Sequence, residues 1–213
     1  MTKIGIINYG VGNLGSVQNA FSFVSNQGDV PKFEVCIESS PEKLKDYDKL
    51  LLPGVGAFGN AMEHLRDSHL DEAIKEFAQS GKYLLGICLG MQLLFEKSFE
   101  FGEHRGLGLM QGEVVEFSNI APLKVPHIGW NSINFTQRAQ DSKIFEGIKD
   151  KSFLYFVHSF HIKAKEELIL AYCEYGYPFG AIVNRDNLFG IQPHPEKSHD
   201  VGLRLLANFI KLK

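Results

Sequence analysis

Cysteine is scarce in this chain: Cys36, Cys88 and Cys173 stand far apart, with no CxxC pair. That excludes a disulfide-stapled fold and points to a reducing compartment. Charge of one sign is missing too. Lys and Arg total 22 against 25 Asp and Glu, for a net charge of −3. No basic field advertises nucleic acid or an anionic membrane. Long apolar runs are absent: the longest uncharged apolar stretch, Tyr83 to Phe95, is broken by Gly86 and Gly90. It falls short of the roughly 20 residues that a membrane span needs. No linker, repeat or low-complexity tract divides the sequence. The chain opens directly on Lys3-Ile4-Gly5-Ile6-Ile7 rather than on a leader, so a cytoplasmic protein is expected.

What remains is ordinary globular material: 213 residues, 44% hydrophobic and 22% charged, enough for one domain over 1–213. The first half alternates two periodicities. Ile4 to Asn8, Phe33 to Ile37, Lys49 to Leu52 and Tyr83 to Ile87 read as short buried strands. Between them, Val17, Ala20, Phe21 and Val24 form a helix face. Ser40-Pro41 reads as an N-cap with proline at N1, and Leu70 to Ala78 reads as a helix stopped by Ser80-Gly81. This β-α order predicts an α/β fold, a mostly parallel sheet with helices on both faces. The second half is strand-rich, with candidates at 114–117, 128–133, 153–157, 168–173, 181–183 and 189–191. They predict an antiparallel extension, closed by a helix from about His199 to Leu212.

Gly10-Val11-Gly12-Asn13-Leu14-Gly15 fits G-x-G-x-x-G between a strand and a helix, with Glu34 and Glu38 downstream. It admits a nicotinamide-dependent oxidoreductase, a plain tight turn, or a surface turn whose Asn13 meets a partner. Gly86-Ile87-Cys88-Leu89-Gly90 is more specific. A nucleophile flanked by small residues at a strand-to-helix junction forms a sharp elbow. The elbow lifts the sulfur above the sheet and sets it at a helix N-terminus, where the dipole favours a thiolate. Cys36 and Cys173, inside apolar strands, read as inert core residues.

A thiol nucleophile needs a base. Gln192-Pro193-His194-Pro195-Glu196 offers one just after a strand. The two prolines stiffen the loop, and the Glu196 carboxylate can fold back on one ring nitrogen of His194, leaving the other for sulfur. Cys88, His194 and Glu196 thus make a nucleophile, a base and an orienting group. Pro53-Gly54-Val55-Gly56 suits a loop that turns backbone N–H groups toward an anion. Gly54, Val55 and Gly56 with the N–H of Leu89 are the candidate oxyanion hole. Metal binding is not expected: there is no HExxH and no Cys/His cluster. Phe95, Phe99 and Phe101 read as core packing rather than as a stacking platform for bases.

Together GICLGMQ (86–92) and HPE (194–196) resemble the class I glutamine amidotransferases. NYGVGNL (8–14), LPGVGAFG (52–59), VPHIGWN (125–131), YFVHSF (155–160) and HPEKS (194–198) narrow the resemblance to the glutaminase subunits of imidazole glycerol phosphate synthases. The resemblance implies a three-layer α/β glutaminase without a cofactor. It implies that glutamine is hydrolysed through a γ-glutamyl thioester on Cys88. It further implies a (β/α)8-barrel cyclase subunit as partner, which receives the ammonia and makes imidazole glycerol phosphate and an aminoimidazole ribonucleotide in histidine biosynthesis. Gln92, Ser159 and Phe160 are implied as substrate contacts, and Asn13, Trp130 and Lys197 as partner contacts. Two positions depart from the family pattern: Pro193 stands where a bulky residue is usual, and Phe160 where Tyr is frequent. Relatives supplying ammonia for surface sugars share the catalytic set and form a second reading, and a scaffold without activity a third.

Overall fold

The computed structural model describes residues 1–26, 28–118 and 122–213. The chain opens with β1 (Thr2–Ile7), α1 (Leu14–Ser25), β2 (Phe33–Glu38), a 3-10 turn (Pro41–Asp46) and β3 (Lys49–Leu52). Two helices follow, α2 (Phe58–Asp67) and α3 (Leu70–Gln79), then β4 (Tyr83–Ile87), the short α4 (Leu89–Leu93), β5 (Phe95–Ser98) and β6 (His104–Arg105). The remainder is β7 (Met110–Glu116), β8 (His127–Phe135), β9 (Phe153–His158), β10 (Phe160–Lys163), β11 (Ile169–Tyr175), β12 (Tyr177–Arg185), β13 (Leu188–Ile191) and α5 (His199–Lys211).

One sheet runs through the described residues in the order β2-β1-β3-β4-β13-β12-β10-β7-β5-β6, with β11 branching from β12 and carrying β8 and β9. The first five strands of that order are parallel. From β12 onward nearly every pairing is antiparallel, the exception being β5 with β7. The sequence patterns explain the division. In β3 and β13 every residue is buried, as a parallel strand covered on both faces requires. Along β9 burial alternates, the mark of a strand with one face in the core. Helices α1 and α5 pack into one core layer and α2, α3 and α4 into the other. This is the α/β arrangement with helices on both faces and an antiparallel extension that the patterns predict.

Helix α1 buries the four residues its spacing named, Val17, Ala20, Phe21 and Val24. Several expectations need correction. The helix α2 escaped the sequence reading although Phe58, Ala61, Met62 and Leu65 form its buried face. Its N-cap residue, Ala57, has no capping side chain. The first N–H is met instead from 42 residues away, by Glu100 Oε2 accepting from Phe58 N at 2.6 Å. The Ser40 side chain makes no capping hydrogen bond, and Pro41 opens a 3-10 turn. Of the three phenylalanines read as core, only Phe95 is buried; Phe99 and Phe101 are exposed on the β5–β6 turn. Cys173 is buried, but Cys36 on the edge strand β2 is only half-buried.

Candidate active site

Strands β4 and β13 lie side by side and parallel, with Ile87 opposite Ile191. Cys88 and the loop Gln192–Glu196 therefore leave the sheet together at carboxyl strand ends, where open α/β sheets form their clefts. Cys88 has φ 53° and ψ −112°, a strained conformation for a side-chain-bearing residue, of the kind that collects at active sites. Its neighbours show why the elbow needs glycine. A Cβ on Gly90 would run into the carbonyl oxygen of Leu52, and one on Gly86 would lie 2.6 Å from the carbonyl oxygen of Gly90. The helix beyond Cys88 has only five residues. The dipole acting on the sulfur is correspondingly that of little more than one turn.

His194 is fixed through its backbone in spite of Pro193. Its N–H donates to the Tyr155 carbonyl at 2.9 Å, and its carbonyl accepts from Ser198 Oγ at 2.6 Å. Ser198 Oγ in turn accepts from Tyr155 N at 2.9 Å, so a serine unnoticed in the sequence ties the base to β9. In the ring, Nδ1 meets Glu196 Oε1 at 2.7 Å. Both side chains are nearly inaccessible, at 3% and 2%. The other nitrogen, Nε2, is buried without a hydrogen-bond partner among the described residues. Burial pulls the imidazole pKa down. The neighbouring Cys88 sulfur and the Glu196 carboxylate outweigh that and hold it at about 9. The ring is thus tuned to accept a proton from sulfur and to stay in place while charged.

The sulfur opens into a cavity of about 320 Å³ lined by Val55, Gly56, Leu89, Gln92, Ser159 and Phe160, with Glu100 and His158 at its sides. Three of the four residues expected at an oxyanion hole, Val55, Gly56 and Leu89, line it. Gly54 does not: it is buried behind the loop, where a Cβ would lie 2.6 Å from the Tyr9 hydroxyl and 3.0 Å from Gly90 N. Tyr9 donates its hydroxyl to the Pro53 carbonyl at 2.9 Å and anchors the base of the loop. Burial, with the Cys88 charge adding to it, pushes the phenol pKa up, so Tyr9 stays a neutral donor. Gln92 donates to the Phe160 carbonyl and to Gln192 Oε1, both at 2.9 Å. Gln192 Nε2 lies 3.7 Å from Cys88 Sγ. Neither Gln192 nor Glu100 stands out in the sequence. Their signal was position alone, one residue past a strand and inside a turn.

The residues expected to meet a partner sit apart from the cavity floor. Asn13 is exposed, and its side chain caps α1 by accepting from Ser16 N at 3.2 Å. Trp130, 45% exposed, stacks on His199 with ring centroids 4.9 Å apart. Lys197 is exposed with its ammonium 5.9 Å above the Tyr155 ring. The Gly10–Gly15 turn lies against the Pro53–Gly56 loop, a Cβ on Gly12 falling 3.9 Å from Gly54 Cα. Among the described residues no group of His, Cys, Asp and Glu is arranged to hold a metal ion, and no helix is long and apolar enough to cross a membrane.

The profile of the family described as glutamine amidotransferase class-I matches residues 6–212. The chain is 70% identical to the imidazole glycerol phosphate synthase subunit HisH of Helicobacter hepaticus over 99% of its length and 98% of that protein. It is 53% identical to the subunit of the same name from Wolinella succinogenes, over 98% and 99%. The solved structure of PurLQS from Thermotoga maritima superposes with a TM-score of 0.73 at 19% identity, covering 99% of this chain and 98% of that one. At that identity the likeness speaks for the fold alone.

Proposed function

The chain belongs to the class I glutamine amidotransferase family, and on that premise we propose that Cys88, His194 and Glu196 hydrolyse the side-chain amide of glutamine. The chain acts as the glutaminase subunit of imidazole glycerol phosphate synthase, in histidine biosynthesis. One observation carries the assignment of residues: a buried imidazole held by Glu196 on Nδ1, with its unpaired Nε2 beside the thiol of an elbow residue.

In this reading Cys88 attacks the carboxamide carbon while its proton passes to His194 Nε2. Glu196 keeps the ring oriented and stabilises its charged form. The tetrahedral oxyanion accepts N–H groups from Leu89 and from the Val55–Gly56 segment, each donor being worth about 2.7–4 kcal/mol in the transition state. His194 protonates the departing ammonia and then activates the water that cleaves the thioester. Gln92, Ser159 and Phe160 hold the amino-acid end of glutamine, and the Glu100 carboxylate at the cavity wall suits its ammonium group.

The partner in this reading is a (β/α)8-barrel cyclase subunit, with ammonia passing between the two. The support is the outer face of the β8–β9 ribbon, where Ile128 and Phe153 are 59% and 57% exposed beside Trp130. Such an apolar strip next to an active-site mouth suits a protein interface. Free ammonia release is then limited by the resting oxyanion loop. Glutaminase rate is measured for the chain alone, with the cyclase subunit, and with cyclase plus its ribonucleotide ligand. A rise of about a hundredfold in the third state, with partner and ribonucleotide, is the expected result, diminished by Lys197→Ala; equal rates in all three states, or no hydrolysis in any, defeat the proposal.

A further inference from the structure

A line of buried and part-buried hydrogen bonds leads from the β8–β9 ribbon to the Cys88 sulfur, and its direction is fixed at every link. It ends at the Phe160 carbonyl from one side, where His158 Nδ1 approaches at 2.8 Å. A carbonyl oxygen can only accept, so His158 carries its proton on Nδ1 and presents a lone pair on Nε2. That lone pair faces His127 Nδ1 at 3.1 Å, so His127 is the donor there. His127 Nε2 accepts in turn from Asn131 Nδ2 at 3.3 Å, whose second hydrogen goes to the Glu174 carbonyl at 2.9 Å. Both imidazoles are neutral, burial holding His127 at about 4 and His158 at about 3.

From the other side the Phe160 carbonyl accepts from Gln92 Nε2, whose second hydrogen goes to Gln192 Oε1. That contact decides the orientation of Gln192. With its amide reversed, two NH2 groups would face each other at 2.9 Å in a site where Gln192 is fully buried. The remaining end, Gln192 Nε2, is therefore compelled to donate toward Cys88 Sγ, 3.7 Å away. The other protein group near the sulfur in a hydrogen-bonding position is an acceptor, the Val157 carbonyl at 4.0 Å. The titratable groups facing the thiol are His194, Tyr9, Glu100 and His158. Among these, the neutral donor Tyr9 is committed to the Pro53 carbonyl.

We propose that Gln192 stabilises the Cys88 thiolate through its amide N–H, and that His127 and His158 are positioning residues that hold Phe160, Gln92 and Gln192 in the one orientation that supplies this donor. The inference rests on Cys88 being the nucleophile of the proposed glutaminase. As the thiol proton leaves for His194, negative charge gathers on sulfur, and a hydrogen bond to a charged acceptor is worth about tenfold or more in an equilibrium.

The test reads the sulfur directly. The full chain is alkylated with iodoacetamide at pH 7, and the rate is followed from the mass of the Cys88 peptide. In Gln192→Met, alkylation is expected to slow about tenfold. In the assembled complex kcat is expected to fall by a similar factor, with KM for glutamine changed less than threefold. A second pair of variants guards against a variant that does not fold. His158→Leu loses the donor to the Phe160 carbonyl and is expected to slow alkylation at least threefold. His158→Asn keeps an amide N–H near the Nδ1 position and is expected to recover to within twofold of the unaltered chain. Wild-type alkylation rates in a folded Gln192→Met, or equal rates in the two His158 variants, overturn the inference. If the unaltered complex fails to hydrolyse glutamine while these alkylation differences hold, the glutaminase reading is lost and the thiolate contact stands.

Discussion

The parallel and antiparallel parts of the sheet handle polar side chains in opposite ways. Around β3, β4 and β13 the strand interiors are wholly apolar, and the polar groups are pushed to the ends. Cys88, Gln192 and His194 follow the carboxyl ends of β4 and β13, and Lys49 opens β3 at the far edge. There its ammonium donates to the carbonyls of Phe209, Ile210 and Leu212, at 2.8, 2.8 and 2.6 Å, and closes α5. In the antiparallel part the imidazoles of His127, His158 and His161 lie within the core, packed around Phe117 and Phe179. A strand covered by helices on both faces has no place for a polar side chain except where it ends. The antiparallel ribbon, joined by turns and open on one face, can bring donors and acceptors from neighbouring strands into register. In the proposed mechanism the first arrangement places the reacting groups, and the second orients them.

The largest effect should come from the strand end itself. Cys88→Ala is expected to lower glutamine turnover in the complex by about 10⁴-fold or more. Cys173→Ala, in the antiparallel part, should leave turnover intact and cost about 1 kcal/mol of stability. Similar turnover losses in both variants would erase the contrast between the two regions. At the opposite edge of the parallel part, Lys49→Met leaves three helix-end carbonyls without their donor and is expected to cost about 3 kcal/mol. Urea denaturation measures this, and an unchanged midpoint would mean that solvent replaces the ammonium.

The antiparallel histidines offer a pH test. His127 has its folded pKa at about 4, below the ordinary 6.5, because of burial. Above pH 6.5 neither state binds the proton and stability is full. Between 6.5 and about 4 the unfolded chain takes up a proton that the folded chain refuses, so stability falls as pH falls. The expected loss is about 3 kcal/mol by pH 4, and His127→Phe should flatten the curve by that amount in denaturation experiments at pH 7 and pH 4. The smallest effect concerns the loop anchor. Tyr9→Phe removes the hydrogen bond to the Pro53 carbonyl and should lower stability by about 1 kcal/mol, seen as a small drop in Tm. A loss of several kcal/mol would show that the phenol supports more than the loop base.

Legibility followed the sequence distance of the partners. The elbow at Cys88 was readable because its requirements, two glycines after an apolar strand, lie within five residues. The contact between His194 and Glu196 was readable because the two are two residues apart. Gln192 was not, since its meaning depends on Gln92 and Cys88, which lie 100 and 104 residues away. The pairing of His127 with His158 spans 31 residues, and nothing in a strand-period pattern announces it. Phe101 misled for the opposite reason: an aromatic two residues from Phe99 reads as packing, yet it sits exposed in a turn with φ 54°.

By itself the sequence determined the alternation of strands and helices, the residues proposed as nucleophile, base and orienting carboxylate, and the family to which these motifs belong. Such features are written in local spacing, because backbone geometry and neighbouring side chains enforce them over a few residues. Only the tertiary structure decided that Glu100 caps α2, that Gly54 is buried while Val55 and Gly56 face the cavity, and that Gln192 points its N–H at sulfur. Each of these is a buried polar or steric demand met by a residue remote in the chain. Burial makes such a demand costly to leave unmet, and the fold alone determines which remote group arrives to meet it.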